Sequence, residues 1–244
     1  MPYRKQQFVN EEIYHITTKK MGDDLLFRDI DDYYRGIFSI YEFNNIKSVE
    51  IRKKRKARIK MKKSGDPLSA NLSDERDKLV EVLTFCLMPN HIHLLLRQLK
   101  EGGITKYMNK FGAGYPAYFK EKHNLRIPKN KGYFFQGRFG SVHIKTDEQL
   151  KIVFTYIHTN PISLIEPKWK EIGIQNSKKV IEFLENYKWS SYLDYIGKKN
   201  FPSVTEREFM LKVVNGEQGC KKIVEEWIKY KGEIKEFSEL ALEG

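Results

Sequence analysis

The sequence predicts an α+β fold in which helices pack on one antiparallel sheet. Segments with strand and helix periodicity follow one another in the order strand, helix, strand, strand, helix, strand, helix up to about residue 165. The two middle strands are joined by the short turn Pro89-Asn90, which predicts a hairpin. Beyond residue 165 the apolar spacing is mostly helical, which predicts a C-terminal helical extension.

Four segments have the composition of strands. β-branched and aromatic residues dominate residues 13–18, and residues 79–88 form a continuous apolar run typical of a buried strand. Residues 91–97 follow the turn as its second strand. Residues 141–144 form a short strand after a Gly- and aromatic-rich segment.

Apolar residues at helical spacing predict helices over residues 29–43 and 104–123. In the second, two glycines and Pro116 favour a kink or break. A third helix begins at Thr146, with Gln149 completing a capping box, and ends near Asn160 because Pro161 follows. The extension is predicted to hold helices over residues 177–187, 189–196, 205–214 and 219–231.

The chain is strongly basic, with a formal net charge of +12, which favours a polyanionic partner such as nucleic acid. Residues 52–63 read RKKRKARIKMKK, and such closely spaced like charges predict that residues 46–71 form a mobile insertion until an anion binds. The alternatives are a nuclear-type address, a solubilising loop or a solvated basic face. An acidic membrane surface is disfavoured, because no long apolar run or amphipathic basic helix is present.

The cellular compartment is predicted from two features. The two cysteines do not make a disulfide scaffold and fit a reducing cytoplasm. The first residues lack the apolar segment of a signal peptide. Together with the basic charge, these features predict a cytoplasmic, nucleoid-associated protein.

His91 and His93 are candidate metal ligands. Alternate side chains of a strand point to the same face, so these two imidazoles lie side by side while Ile92 and Leu94 face a core. Neutral imidazole is a common metal ligand. On this motif alone, a metal site and two ordinary surface histidines are equally supported.

Tyr156 and Asn160 lie one helical turn apart, about 6 Å along the axis. Asn160 offers a carbonyl oxygen to a divalent cation, and Tyr156 offers a phenol. A phenol has a pKa of about 10, so it is a poor nucleophile unless a neighbouring metal assists it. Taken alone, the motif favours a core tyrosine and a C-terminal asparagine cap. His158 falls on another face of the helix and is interpreted as structural.

The combination of these residues fits one chemistry. A tyrosine attacks a DNA phosphodiester and retains the bond energy, so that a second strand is joined without ATP. A nucleic-acid-binding protein on the same fold that has lost catalysis is the main alternative, but it does not need this set of residues. A water-using metal phosphodiesterase would need carboxylate ligands, and none lies near the histidines in sequence.

The sequence resembles the HUH single-tyrosine transposases of insertion sequences, and within them the REP-associated tyrosine transposases. The resemblance is carried by four blocks and by an early YHITTKK segment that is similar to the family's first strand. The four blocks are LMPNHIHLLLR (residues 87–97), FFQGRFGSVHI (residues 134–144), YIHTNPISLI (residues 156–165) and YKWSSYLDYIG (residues 187–197).

The resemblance implies a ferredoxin-like (RRM-like) catalytic fold. It implies that Tyr156 is the nucleophile, that His91, His93 and Asn160 are metal ligands, and that the cofactor is Mg²⁺ or Mn²⁺. It also implies a single-stranded DNA substrate with a nearby hairpin and a 5′-phosphotyrosine intermediate. In the first strand the chain departs from the family pattern, because it carries Thr17-Thr18-Lys19 where many relatives have an Asn-Arg pair.

The resulting prediction divides the chain into a catalytic domain over residues 1–165, carrying the basic insertion, and the extension over residues 166–244. No organic cofactor and no membrane are expected, and a monomer is favoured because the helical tail can cover the edge used for pairing. Trp189 is interpreted as a packing residue. The residues predicted to contact DNA phosphates are Arg52, Lys53, Lys54, Arg55, Lys56, Arg138 and Lys145.

Overall fold

A computed structural model of the protein describes residues 7–64, 74, 76–125 and 133–229. Residues 65–71 of the predicted insertion and residues 230–231 of the last predicted helix lie outside these ranges. The described elements are β1 (Ile13–Lys19), α1 (Ile30–Phe43), α2 (Ile51–Ser64), β2 (Val80–Met88), β3 (His91–Gln98), α3 (Gly103–Lys122), β4 (Gly140–Ile144), α4 (Asp147–Thr159), α5 (Trp169–Ile172), α6 (Ser177–Leu184), α7 (Tyr192–Tyr195), α8 (Arg207–Val213) and α9 (Gly216–Lys229).

The four strands form one antiparallel sheet in the order β2-β3-β1-β4. This is the strand order of a ferredoxin-like fold, so the predicted α+β class is confirmed. β2 and β3 form the predicted hairpin at one side, and β1 lies in the interior between β3 and β4. A polar residue of β1 can therefore be buried against a neighbouring strand on either side.

The two faces of the sheet carry separate apolar cores, because alternate residues of a strand point to opposite faces. Ile92 and Leu94 of β3 pack with α1 and α3 on one face, whereas Leu95 packs with α4 and the C-terminal helices on the other. In β2 the register shifts between Val82 and Thr84. This irregularity exchanges the faces to which odd and even residues of β2 point, so both cores keep apolar side chains along its length.

The predicted break in the helix of residues 104–123 is wrong, because α3 runs without interruption and includes Pro116. One of its glycines instead allows close packing against α1. A Cβ atom at Gly114 would lie 2.2 Å from Cζ of Phe43, so any larger residue would push the two helices apart.

The prediction of a mobile basic insertion over residues 46–71 is also wrong for the residues that are described, since they include the α-helix α2. Lysine and arginine favour helix, and Ile51 fixes the start of α2 in the core with 3% of its surface exposed. Lys54 forms an ion pair with the fully buried Glu42 of α1, with Nζ and Oε2 3.1 Å apart. Carboxylates from other elements therefore offset part of the repulsion between the lysines and arginines of α2.

The C-terminal helices pack onto α4, and the core they form crosses residue 165. Trp169 of α5 and Trp227 of α9 belong to the same apolar cluster as Phe154 of α4. The segment between α6 and α7 also bonds to β2, since the Leu87 N–H donates to the Trp189 carbonyl at 2.8 Å. The predicted domain boundary at residue 165 therefore stays a prediction. Among the described residues, no helix is long and apolar enough to cross a membrane.

Candidate active site

His91 and His93 lie at the start of β3, on the face that α4 covers. Their ring centroids are 4.9 Å apart. In the register with β1, His93 lies opposite Thr17 and His91 opposite Lys19. His93 is 4% exposed and His91 is partly exposed, so the pair extends from the protein interior towards solvent.

Each of the two imidazoles is held at Nδ1 by a neighbouring side chain. Nδ1 of His91 lies 2.6 Å from Oδ1 of Asn90, and Nδ1 of His93 lies 2.9 Å from Nε2 of His15 on β1. If Nδ1 carries the proton and donates in both cases, each Nε2 keeps a free lone pair. This tautomer agrees with the third contact of His93, whose Nε2 accepts from Nδ2 of Asn160 at 3.0 Å.

α4 begins as the sequence predicts. Oγ1 of Thr146 accepts from the Gln149 N–H at 3.2 Å, which confirms the predicted N-cap. The side chain of Gln149 returns to the N–H of Lys145, at 2.9 Å, rather than to that of Thr146. Both N–H groups therefore have a hydrogen-bond acceptor at the start of α4. Because the start of the helix is fixed, the directions of the side chains at its C-terminal end are fixed as well.

The C-terminal end of α4 brings Tyr156 and Asn160 to the histidines. Tyr156 is 3% exposed, and its ring centroid lies 5.6 Å from that of His93 and 6.1 Å from that of His15. Asn160 is 4% exposed and begins the 3-10 turn Asn160–Leu164. The four residues singled out by the sequence are therefore gathered into one cluster from β3 and α4.

The electrostatic environment keeps both histidines neutral. Burial lowers the pKa of His91 to about 4 and holds the pKa of His93 well below its usual value. At pH 7 the imidazole lone pairs are therefore available to a metal rather than occupied by protons. Burial also raises the pKa of Tyr156, and a hydrogen bond from Asn160 lowers it by a smaller amount. The phenol is therefore protonated at rest.

The donor set fits a divalent cation. Two neutral imidazole nitrogens and one amide oxygen are ligands that first-row divalent metals accept. Asn160 now directs its Nδ2 towards His93, and a rotation of the amide exchanges Nδ2 for Oδ1 at nearly the same position. The contacts of His91 and His93 at Nδ1 supply the outer hydrogen bonds that orient metal-binding imidazoles in proteins.

A family model described as "Transposase IS200 like" matches residues 42–160, a little under half of the chain. The match contains both histidines and ends at Asn160. This segment of the chain is therefore similar to IS200-like transposases. No curated protein is significantly similar to this chain. Among solved structures, the chain is similar to one described as "Structure of the REP associates tyrosine transposase bound to a REP hairpin". The TM-score is 0.41 and the identity is 14%, and the match covers 85% of this chain and 96% of the other.

Two residues of the cluster were missed by the sequence analysis, and both lie outside the matched segment. His15 is buried at 1% exposure in β1. An isolated histidine among apolar residues was its only sequence signal, and the register with β3 was needed to place it beside His93. Lys170 of α5 lies with its Nζ 3.4 Å from the hydroxyl oxygen of Tyr156. Nothing in the sequence distinguished it from the other lysines.

The residues predicted to contact DNA are dispersed over the protein. Arg138 lies in the turn before β4 and lines a groove of 770 Å³ together with Thr18 and aromatic residues. Lys145 precedes the N-cap of α4, at the opposite end of the helix from Tyr156. Neither is brought to the histidine cluster.

The five predicted cations of α2 lie on the α1 and α3 face of the sheet, away from the cluster. Arg52 pairs with Glu121 of α3 at 3.1 Å, and Lys53 pairs with Glu50 at 2.9 Å. Lys54 pairs with Glu42 as described above, Arg55 lies within the helix, and Lys56 is exposed. This surface and the histidine cluster are therefore separate regions.

Two interpretations from the sequence agree with the contacts. His158 is completely buried, and its Nε2 lies 2.9 Å from Oγ of Ser191, which is a structural position. Trp189 stacks on Tyr33, with ring centroids 4.7 Å apart, and so acts as a packing residue.

A second group of possible ligands lies far from the cluster, at Asp29, Asp32 and His123. Lys122 already contacts both carboxylates, with Nζ 2.5 Å from Oδ1 of Asp29 and 3.0 Å from Oδ1 of Asp32. Nε2 of His123 lies 2.8 Å from Oδ2 of Asp32. The protein's own cation therefore occupies the position that a metal would need, and the group links α1 to α3.

Proposed function

We propose that this protein is a transposase that cuts and rejoins single-stranded DNA, with Tyr156 as the nucleophile. The supporting observation is that Tyr156, His91, His93 and Asn160 converge from β3 and α4, although they are far apart in the sequence. A tyrosine buried only for packing does not need a neutral, hydrogen-bonded pair of imidazoles beside it.

The reaction proceeds by exchange of one phosphate ester for another. The hydroxyl oxygen of Tyr156 forms a bond to the scissile phosphorus, and the bond to the 3′-oxygen breaks. The 3′-oxygen leaves with the electron pair and takes up a proton from solvent, while the proton of the phenol passes to solvent. The product is a 5′-phosphotyrosine and a free 3′-hydroxyl, and attack by another 3′-hydroxyl reverses the step and joins strands. The 5′ polarity comes from the family resemblance.

His91, His93 and Asn160 would hold a divalent cation, Mg²⁺ or Mn²⁺. Such a cation, when bound, polarises the phosphate and offsets the charge that develops during attack. His15 and Asn90 support this assignment, because they hold the Nδ1 atoms and leave both Nε2 atoms for the metal.

A single strand is the proposed substrate, because the scissile phosphate has to enter between α4 and the sheet, where Tyr156 is 3% exposed. A duplex is too wide and rigid for this approach. The basic surface of α2 and Arg138 would hold phosphates of the strand outside the histidine cluster, without reading sequence. The hairpin beside the cleaved strand and the monomeric state follow from the family resemblance and the C-terminal helices.

The test uses a pool of hairpin oligonucleotides with randomised single-stranded flanks and a 3′ fluorescent label, incubated with Mn²⁺. The wild-type protein should retain the label after denaturation, because the 3′ fragment is joined to Tyr156. Tyr156→Phe keeps the packing of the ring and should give no labelled protein. Tyr118→Phe is a matched control, since the Tyr118 hydroxyl bonds to Asp32 on the opposite side of the sheet.

Each other outcome has a distinct meaning. Labelled protein from Tyr156→Phe would exclude Tyr156 as the nucleophile. Cleavage without labelled protein would favour a water-using phosphodiesterase. Binding of the pool without cleavage, in Mn²⁺ and in Mg²⁺, would favour the alternative of a DNA-binding protein that has lost catalysis.

A further inference from the structure

We infer that Lys170, in the C-terminal extension, is a catalytic residue whose ammonium group binds the oxygens around the reacting phosphorus. This inference rests on the proposed role of Tyr156 and extends the active site beyond the segment matched by the family model. It also gives the C-terminal helices a function, since α5 carries the residue that completes the site.

The geometry places the ammonium at the nucleophile. Nζ of Lys170 lies 3.4 Å from the hydroxyl oxygen of Tyr156 and 4.9 Å from the centroid of its ring. The neighbouring Trp169 is 1% exposed and belongs to the core beneath α4. The backbone of Lys170 is therefore held in place by its neighbour, while its own side chain remains accessible to an entering strand.

The charge of Lys170 is unbalanced within the site. None of the ion pairs within 4 Å among the described residues involves Lys170. Its partner Tyr156 lies beside His93, with ring centroids 5.6 Å apart, so the ammonium belongs to the same cluster. A lysine next to two imidazoles that would hold a cation is unfavourable unless an anion enters between them.

The scissile phosphate supplies that anion. As Tyr156 attacks, negative charge develops on the non-bridging oxygens of the phosphate, within reach of a donor that already contacts the attacking oxygen. A fixed cation at this place stabilises the transition state more than the free enzyme, which is the requirement for catalysis rather than mere binding.

The test compares Lys170→Met, Lys170→Arg and Lys168→Met in single-turnover reactions with saturating Mn²⁺. The substrate is one hairpin oligonucleotide from the randomised pool that the wild-type protein cleaves. Lys170→Met removes the charge and the hydrogen-bond donor but keeps an unbranched side chain. It should slow formation of the labelled protein by about 10- to 100-fold, the loss expected for a charge-assisted hydrogen bond. Lys170→Arg should recover most of the rate. Lys168→Met removes an exposed lysine nearby and should match the wild type.

The same oligonucleotide, titrated by fluorescence anisotropy in Ca²⁺, separates catalysis from binding. Lys170→Met should bind it within about threefold of the wild type, because one phosphate contact among many contributes little to affinity. An unchanged rate in Lys170→Met, an equally slow Lys170→Arg, or a rate loss fully explained by weaker binding would overturn the inference. All three results leave the role of Tyr156 intact, whereas absence of labelled protein from the wild type would reject the proposed function itself.

Discussion

The two faces of the sheet are built by the same four strands but serve different purposes. The face under α1 and α3 is closed by apolar and aromatic side chains, of which Phe85 and Phe111 are 0% and 1% exposed. The face under α4 buries His15 and His93 from the strands and Asn160 beyond the helix, besides its apolar core. The first face also buries Asp32 and Glu42, whose carboxylates pair with lysines, whereas the second combines packing with a cluster of imidazoles beside a tyrosine.

The difference indicates where stability and function reside. A buried polar group costs free energy unless it is hydrogen bonded, and the members of the cluster bond to one another. Such a network adds little net stability, whereas the apolar face adds much. Substitutions on the two faces should therefore affect different measurements.

The largest expected effect is on the apolar face. Phe85→Ala leaves a cavity in the core between the sheet and the helices α1 and α3, and should lower the free energy of unfolding by about 3–5 kcal/mol. Urea unfolding followed by circular dichroism measures this change. Mn²⁺ affinity of the folded fraction should stay at the wild-type value, and a parallel loss of affinity would show that the two faces are coupled.

Replacing one buried or stacked histidine on each face of the sheet compares the two faces directly by their effect on Mn²⁺ affinity. His15→Phe removes the acceptor for Nδ1 of His93 and should weaken Mn²⁺ binding by about 10- to 100-fold, the usual loss for an outer hydrogen-bond partner of a metal ligand. The matched control is His143→Phe, because His143 of β4 stacks on Tyr14 on the opposite face, with ring centroids 4.8 Å apart. Electron paramagnetic resonance of free Mn²⁺ measures both affinities. Equal affinities in the two variants would show that His15 does not orient His93.

A smaller effect is expected at the start of α4. Thr146→Ala removes the side-chain cap for the Gln149 N–H and should lower the free energy of unfolding by about 1 kcal/mol. Thr146→Ser keeps the acceptor and should retain most of the stability. Thermal unfolding at one pH measures both, and a loss of the same size in Thr146→Ser would assign the effect to the methyl group instead of the cap.

The smallest expected effect on stability is on α2. Neutralising Lys53, Lys56 and Lys60 together, each to Gln, should change the free energy of unfolding by less than about 0.5 kcal/mol per residue, because these side chains are exposed. If each contacts one phosphate of single-stranded DNA, the slope of log affinity against log salt should fall by about 2 in magnitude. Anisotropy titrations across a salt series measure this slope. An unchanged slope would identify α2 as a solvated helix with no role in DNA binding.

The sequence by itself determined the elements whose causes are local. Strand alternation put His91 and His93 on one face, and the cap at Thr146 with the stop at Pro161 fixed the length of α4. These features depend on neighbouring residues, so they were correctly predicted. The same reasoning failed for α2, because the carboxylate of Glu42 that pairs with Lys54 comes from another helix.

Only the tertiary structure decided the composition of the cluster. His15 reaches His93 because the register of β1 against β3 places them on one face, and this register depends on packing along the whole of both strands. Lys170 reaches Tyr156 because burial of Trp169 fixes the position of α5 against α4. Contacts between residues far apart in sequence depend on how the apolar cores pack, and local sequence patterns do not predict them.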